Sequence, residues 1–156
     1  MTSLKGNASA EVGASPDVVF AKITDVAALP SWNAAMTCVC DEPAALEPGT
    51  EWVVEFHWMS RSWRSRSRCS EIDREALRFA HRTQTDDGNP SYADWEWTVT
   101  PVGDRSKIDV SWQLHPATFW RRALLAKMRN RQLATVEVPA SLAALDRVLT
   151  GAEAGT

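Results

Sequence analysis

Ala117-Thr118-Phe119-Trp120-Arg121-Arg122-Ala123-Leu124-Leu125-Ala126-Lys127-Met128 opens the one stretch of this chain long enough to be its central helix, and the apolar pattern continues through Leu142, Leu145 and Leu149. At about 100° per residue, Trp120, Leu124, Met128, Thr135, Val138, Leu142, Leu145 and Leu149 fall within a stripe about 100° wide. A helix with one such face needs a sheet to cover it. Two residues break the plain pattern. Arg131 lies inside the stripe and is expected to snorkel out past the sheet edge rather than place its charge at a pocket. Pro139 lacks the N–H that would bond the Thr135 carbonyl, so the element is expected to bend into two limbs. Unbroken, a helix over 117–149 would be about 50 Å long, more than one small domain needs.

Upstream, the period changes from helix to strand. In 51–58, Trp52, Val54, Phe56 and Trp58 alternate with Glu51, Glu55 and His57, the mark of a half-buried antiparallel strand. In 63–73 the outward set is Arg64, Arg66 and Arg68, and the inward set is Trp63, Ser65, Ser67 and Cys69. Pairing Trp58 with Trp63 would place Glu55 opposite Arg66. The inward serines are small for a core face and leave room for a cavity. Ile72 has the arginine parity, so it is either a surface residue or follows a bulge that switches faces. Leu77, Phe79, His81 and Thr83 share the next inward face; Ala93, Trp95, Trp97 and Val99 share the one after it. Ile108, Val110, Trp112 and Leu114 face inward on the last strand, which Pro116 ends. Asp86-Asp87-Gly88-Asn89-Pro90 is the clearest loop. Shorter strands are expected at 7–12 and 36–40.

Between the first two strands, Ser15 is a good N-cap and Pro16 suits the first helical position. Asp25 can cap a second short helix over 26–29, which Pro30 stops. The run Ser15-Pro16-Asp17-Val18-Val19-Phe20, followed by Asp25 and then Pro30-Ser31-Trp32-Asn33, resembles the entry of the START-like (SRPBCC) superfamily, and within it the bacterial polyketide cyclase/dehydrase-type proteins. The strand order and the long terminal helix match as well, so the resemblance covers almost the whole chain. It implies an α+β helix-grip fold: six to seven curved antiparallel strands around the terminal helix, with two short helices after strand 1. Residues 1–150 would form one ligand-binding domain and 151–156 a disordered tail. The superfamily holds carriers, enzymes and regulatory modules on one scaffold, so the likeness is specific for fold and weak for function.

Composition bounds the rest. With 156 residues the chain is one domain, and 44% hydrophobic with 24% charged residues is ordinary for a folded one. A net charge of −3 argues against a nucleic-acid partner. No apolar run is long enough to span a membrane, and the N-terminus lacks a signal-peptide core. Three cysteines without framework spacing suit a reduced, cytoplasmic protein. No pair of Cys or His has zinc-site spacing, so no metal is expected, and no cofactor.

Eight Trp against four Phe and one Tyr are the outlier, and they either fill a core or wall a cavity. The expected ligand-binding set is Trp52, Phe56, Trp58, Trp63, Phe79, His81, Trp95, Trp97, Trp112, Leu124 and Met128. The expected partner is a hydrophobic or aromatic small molecule, with the oligomeric state left open between monomer and homodimer. As alternatives, the resemblance admits a polyketide cyclase, aromatase or dehydratase, with His81, Thr83 and Arg131 as acid–base candidates, or a protein-interaction module using the arginine face. His57 reads as a surface residue and His115 as structural.

Overall fold

The computed structural model describes residues 4–58, 60–85, 91–116 and 120–154, leaving out the side chains of Trp58, of 120–125 and of 152–154. The expected loop at Asp86–Pro90, the helix start at Ala117–Phe119, and the side chains of Trp58, Trp120 and Leu124 therefore lie outside the described residues.

Seven strands, β1 (Leu4–Val12), β2 (Met36–Asp41), β3 (Glu51–Trp58), β4 (Arg61–Asp73), β5 (Arg78–Thr85), β6 (Tyr92–Val102) and β7 (Arg105–His115), form one curved antiparallel sheet. The order is β1-β7-β6-β5-β4-β3-β2, so every pair but β1–β7 joins sequence neighbours. Helix α1 (Pro16–Ile23) and a 3-10 helix (Val26–Ser31) separate β1 from β2. The terminal element is α2 (Trp120–Gln132), a π-helical turn (Leu133–Glu137) and α3 (Val138–Ala154). This is the expected helix-grip arrangement. The helix runs through 151–154, into the stretch expected to be a tail.

Ser15 occupies the N-cap of α1 in extended backbone geometry, and Pro16 follows at the first helical position. The Ser15 side chain makes no capping bond; its carbonyl accepts the Val19 N–H at 3.0 Å. Val19, Phe20 and Ile23 bury the face that the sequence pattern marks.

The β3–β4 hairpin is tighter than expected. Trp58 pairs with Arg61, Phe56 with Trp63 and Glu55 with Arg64, two residues out of the expected register. The turn spans only two residues, and Ser60 adopts φ 67° to close it. Face parity survives, because a slip of two keeps every side chain on its own side. A bulge between Cys69 and Glu71 resolves the Ile72 conflict. The extra residue turns Ile72 inward, where it pairs with the buried Phe79.

The core lies between the sheet and α3. Val12, Ile108, Val110, Leu142 and Leu145 are almost wholly buried. At the β1 side, backbone approaches ring: a Cβ on Gly6 would stand 2.3 Å from the Trp112 indole, so only glycine fits there.

The π turn corrects the reading of the terminal helix. Pro139 leaves the Thr135 carbonyl without its usual donor, and the chain absorbs this by widening the turn that contains Thr135. One extra residue in a turn rotates everything upstream by roughly 100° relative to a uniform helix. Met128, placed inward by uniform periodicity, is therefore exposed, and Thr135 with it. Asn130, rather than Arg131, faces the sheet, where its Nδ2 donates to the Lys5 carbonyl at 3.1 Å. Arg131 is exposed because the π turn moves it off the gripped face, so it does not snorkel from that face as expected.

Candidate functional site

A cavity of about 960 Å³ lies between the sheet, the two short helices and the terminal helix. The inward faces of β3, β4, β5 and β6 form its floor. Ile23, Val26, Leu29 and Trp32 form one wall, and Ala126, Leu133 and Val138 close it from the terminal helix.

The floor is an aromatic surface laid across neighbouring strands. Phe56 stacks on Trp63 at 5.4 Å, because these residues face each other in the β3–β4 ladder. Trp52 stacks on Phe79 at 6.1 Å, and Phe79 on His81 at 5.0 Å. His81 lies parallel to Trp95 at 6.3 Å, and Trp95 to Trp97 at 6.4 Å. Trp32 meets Trp97 edge to face at 5.7 Å. These offset and edge contacts are the favoured geometries of aromatic pairs. Between the rings, the small side chains Ser65 and Ser67 keep the floor open, as the strand pattern suggested.

Two indole N–H groups of the floor find partners within it. Trp95 donates to Thr83 Oγ1 at 3.2 Å, and Trp97 to His81 Nε2 at 3.2 Å. The bond from Trp97 requires Nε2 to be an acceptor, so the neutral His81 ring carries its proton on Nδ1. Among the described residues, neither that Nδ1 nor Trp32 Nε1 has a hydrogen-bond partner. Burial pushes the His81 imidazole down to about 4, and the charge of Asp94 offsets only part of that. At neutral pH His81 is therefore an uncharged hydrogen-bonding group.

The depressed value has a consequence for stability. Between about 4 and 6.5 the unfolded chain holds a proton on this imidazole that the folded chain rejects. Stability therefore rises with pH across that window, is complete above 6.5, and falls by about 3 kcal/mol as pH drops through it. His81→Phe is expected to flatten that part of the profile of urea midpoint against pH. An unchanged slope between pH 4 and 6.5 would show that His81 titrates normally.

The structure separates the expected site residues into three groups. Trp52, Phe56, Trp63, Phe79, His81, Thr83, Trp95 and Trp97 line the cavity together. Trp112, Met128 and Arg131 do not. Trp112 is buried over Gly6, and its Nε1 donates to Asn130 Oδ1 at 2.7 Å, which makes it a seal between β7 and α2. Met128 and Arg131 are turned to solvent by the π turn. The side chains of Trp58 and Leu124 lie outside the described residues.

Sequence reasoning missed other lining groups. Asn33 is one. Its Nδ2 donates to the Leu29 carbonyl at 2.9 Å, and its Oδ1 accepts from Ser141 Oγ at 3.1 Å. It ties the short-helix wall to α3, and its place beside Trp32 in the recognised motif was the available signal. Arg61, Tyr92, His115, and the ion pair of Arg129 with Glu137 across the π turn also line the cavity. His115 stacks on Tyr92 at 4.5 Å. Its Nε2 lies 3.3 Å from an Asp94 carboxylate oxygen without hydrogen-bond geometry. Residues eight apart that meet across a π turn are invisible to helical periodicity.

The outer face carries the arginine set, apart from Arg61. Arg64 pairs with Glu55 at 3.7 Å, Arg66 with Glu51 at 3.3 Å, Arg78 with Glu96 at 2.6 Å, and Arg82 with Asp94 at 2.7 Å. Arg82 also lies over the Tyr92 ring at 4.0 Å. Exposed pairs of this kind each contribute about 0–1 kcal/mol. They describe a solvated, charge-balanced surface.

A seven-stranded sheet gripping a terminal helix, with a cavity held between them, defines a START-like protein. The family described as polyketide cyclase/dehydrase and lipid transport matches residues 3–150, and the chain belongs to that family. No curated protein matches the sequence. Among solved structures, the di-domain ARO/CYC BexL is 19% identical with a TM-score of 0.73, covering 92% of this chain and 45% of that one. A START superfamily protein from Mycobacterium smegmatis is 14% identical with a TM-score of 0.69, covering 91% and 94%. A protein from Thermus thermophilus is 20% identical with a TM-score of 0.69, covering 94% and 98%. At such identities the likeness is one of fold. Among the described residues, no helix is long and apolar enough to cross a membrane.

Proposed function

We propose that this chain binds a hydrophobic or aromatic small molecule in the cavity between sheet and terminal helix. The observation that carries the reading is the 960 Å³ cavity itself, with its stacked aromatic floor. Its volume lies at the upper end of the range for small-molecule sites, and polar side chains such as Asn33, His81 and Thr83 stand among its apolar walls, where they can orient a ligand. Flat rings or a long apolar body would cover the floor and remove it from water, at about 25 cal/mol per Å² of apolar surface. An interaction module would be better served by a filled interior. The three cysteines are free thiols, in keeping with a reducing, cytoplasmic setting.

The cavity also accommodates a second reading, a polyketide cyclase, aromatase or dehydratase, to which the ARO/CYC designation of BexL lends support. His81 and Thr83 both line the cavity, while Arg131, the third acid–base candidate, is exposed. Burial holds His81 neutral, and binding accounts for the geometry with fewer demands than a reaction would make. Native mass spectrometry of the purified chain, with tryptophan fluorescence titration against aromatic polyketides and fatty acids, separates the outcomes. A retained or saturating ligand without turnover supports binding. Turnover lost in His81→Ala supports the enzyme. No retained ligand and no quenching by any of them would remove both.

A further inference from the structure

On the outer face, away from the cavity, the edge strand β2 carries Cys38 and Cys40, both exposed. In a regular strand, residues two apart are separated by about 6.6–6.8 Å. Here the two Sγ atoms lie 3.6 Å apart. Ladder irregularities between Met36 and Cys38 and between Val39 and Asp41 bracket both cysteines. Glu55 stands opposite Cys38 in the β2–β3 ladder and brings a carboxylate oxygen to the pair. The two sulfurs and this oxygen all lie within 4.8 Å of one another.

We propose that Cys38, Cys40 and Glu55 form a surface site for a thiophilic d¹⁰ cation, with Zn²⁺ as the ion to test. The separation of the thiols carries the argument. A tetrahedral ion with metal–sulfur bonds of about 2.3 Å spans two sulfurs about 3.8 Å apart, so the thiols already stand near the required bite. The carboxylate supplies a third, harder ligand, and water completes the fourth position. The spacing C-x-C falls outside the patterns of zinc-binding sequences, which is why the sequence reading excluded a metal here. The site needs the strand irregularities and a neighbouring strand to exist at all.

Proton balance follows from the ligands. Each bound thiol gives up its proton to solvent, so loading one ion releases up to two. Arg64, 3.7 Å from Glu55, must yield the carboxylate oxygen to the metal. The charge of the two thiolates would then hold the arginine close to the site.

Competition between the reduced full-length chain and a chromophoric zinc chelator tests this, with proton release measured in weak buffer. The expected result is one Zn²⁺ per chain with about two protons released near neutral pH. Cys38→Ser and Cys40→Ser are each expected to weaken binding at least tenfold, Glu55→Gln by less, and Cys69→Ser not at all. Cd²⁺ should give a sulfur-to-metal charge-transfer band that both single serine variants lose. Undiminished Zn²⁺ binding in the Cys38→Ser/Cys40→Ser double variant, or failure of the wild-type chain to compete, overturns the proposal. All the substituted side chains but that of Cys69 are exposed or half-exposed, so tryptophan fluorescence should confirm that the variants remain folded.

Discussion

Ser67→Leu is expected to weaken binding of an aromatic ligand at least about tenfold, equivalent to about 1.4 kcal/mol, and to cost about 1–3 kcal/mol of folding stability. Ser67 lies on the cavity floor between Trp52 on β3 and Thr83 on β5. Its side chain is 3% exposed, so the added methylenes of a leucine must push past packed neighbours into the cavity. It occupies the surface on which a flat ring would rest. Adding Ser65→Leu, one step along the same inward face, should extend the loss. Quenching of tryptophan fluorescence by the aromatic probe ANS measures both variants, with urea unfolding as the control for fold. Affinity equal to wild type in the double variant would place the ligand elsewhere on the protein.

Leu145→Ala is expected to destabilise the fold by about 2–5 kcal/mol, a large fraction of the roughly 5–15 kcal/mol typical of a domain. Leu145 is wholly buried in the packed half of the molecule, where α3 closes the sheet. Truncation leaves a hole in the core formed with Val12, Ile108 and Leu142, and rigid strands cannot collapse to fill it. Met128→Ala is the paired control, because that side chain is 64% exposed and its loss should shift stability by no more than about 0.5 kcal/mol. Uniform helical periodicity puts both residues on the same gripped stripe, so the pair measures what the π turn does. Equal destabilisation by the two substitutions would show that α2 continues the phase of α3. Urea unfolding followed by far-ultraviolet circular dichroism reports both.

Much of the cavity floor could be read from the chain because strand parity is local. Alternation assigns Trp52, Phe56, Trp63, Phe79, His81, Trp95 and Trp97 to one face without knowledge of any partner strand, and a register error of two residues leaves that assignment intact. Pairings that depend on turn length were not local. Glu55 meets Arg64 rather than Arg66 because the hairpin closes in two residues. The face of Ile72 hung on a bulge that only the β4–β5 ladder reveals.

The terminal helix divides most clearly into what the chain determines and what the fold decides. Its existence, its apolar limb from Val138 to Leu149 and the disturbance by Pro139 follow from residue order alone: a 3.6-residue period and a missing N–H are properties of the chain itself. How the disturbance is absorbed depends on packing. The fold widens the turn before Pro139, turning Met128 and Arg131 outward and Asn130 inward to seal Trp112. Sequence thus determined a helix with a gripped face and a sheet with an aromatic inner side. Tertiary structure decided which of the buried aromatics border the cavity and which, like Trp112, do not. That choice turns on one residue's worth of helical phase and on the close approach of Gly6 to an indole ring.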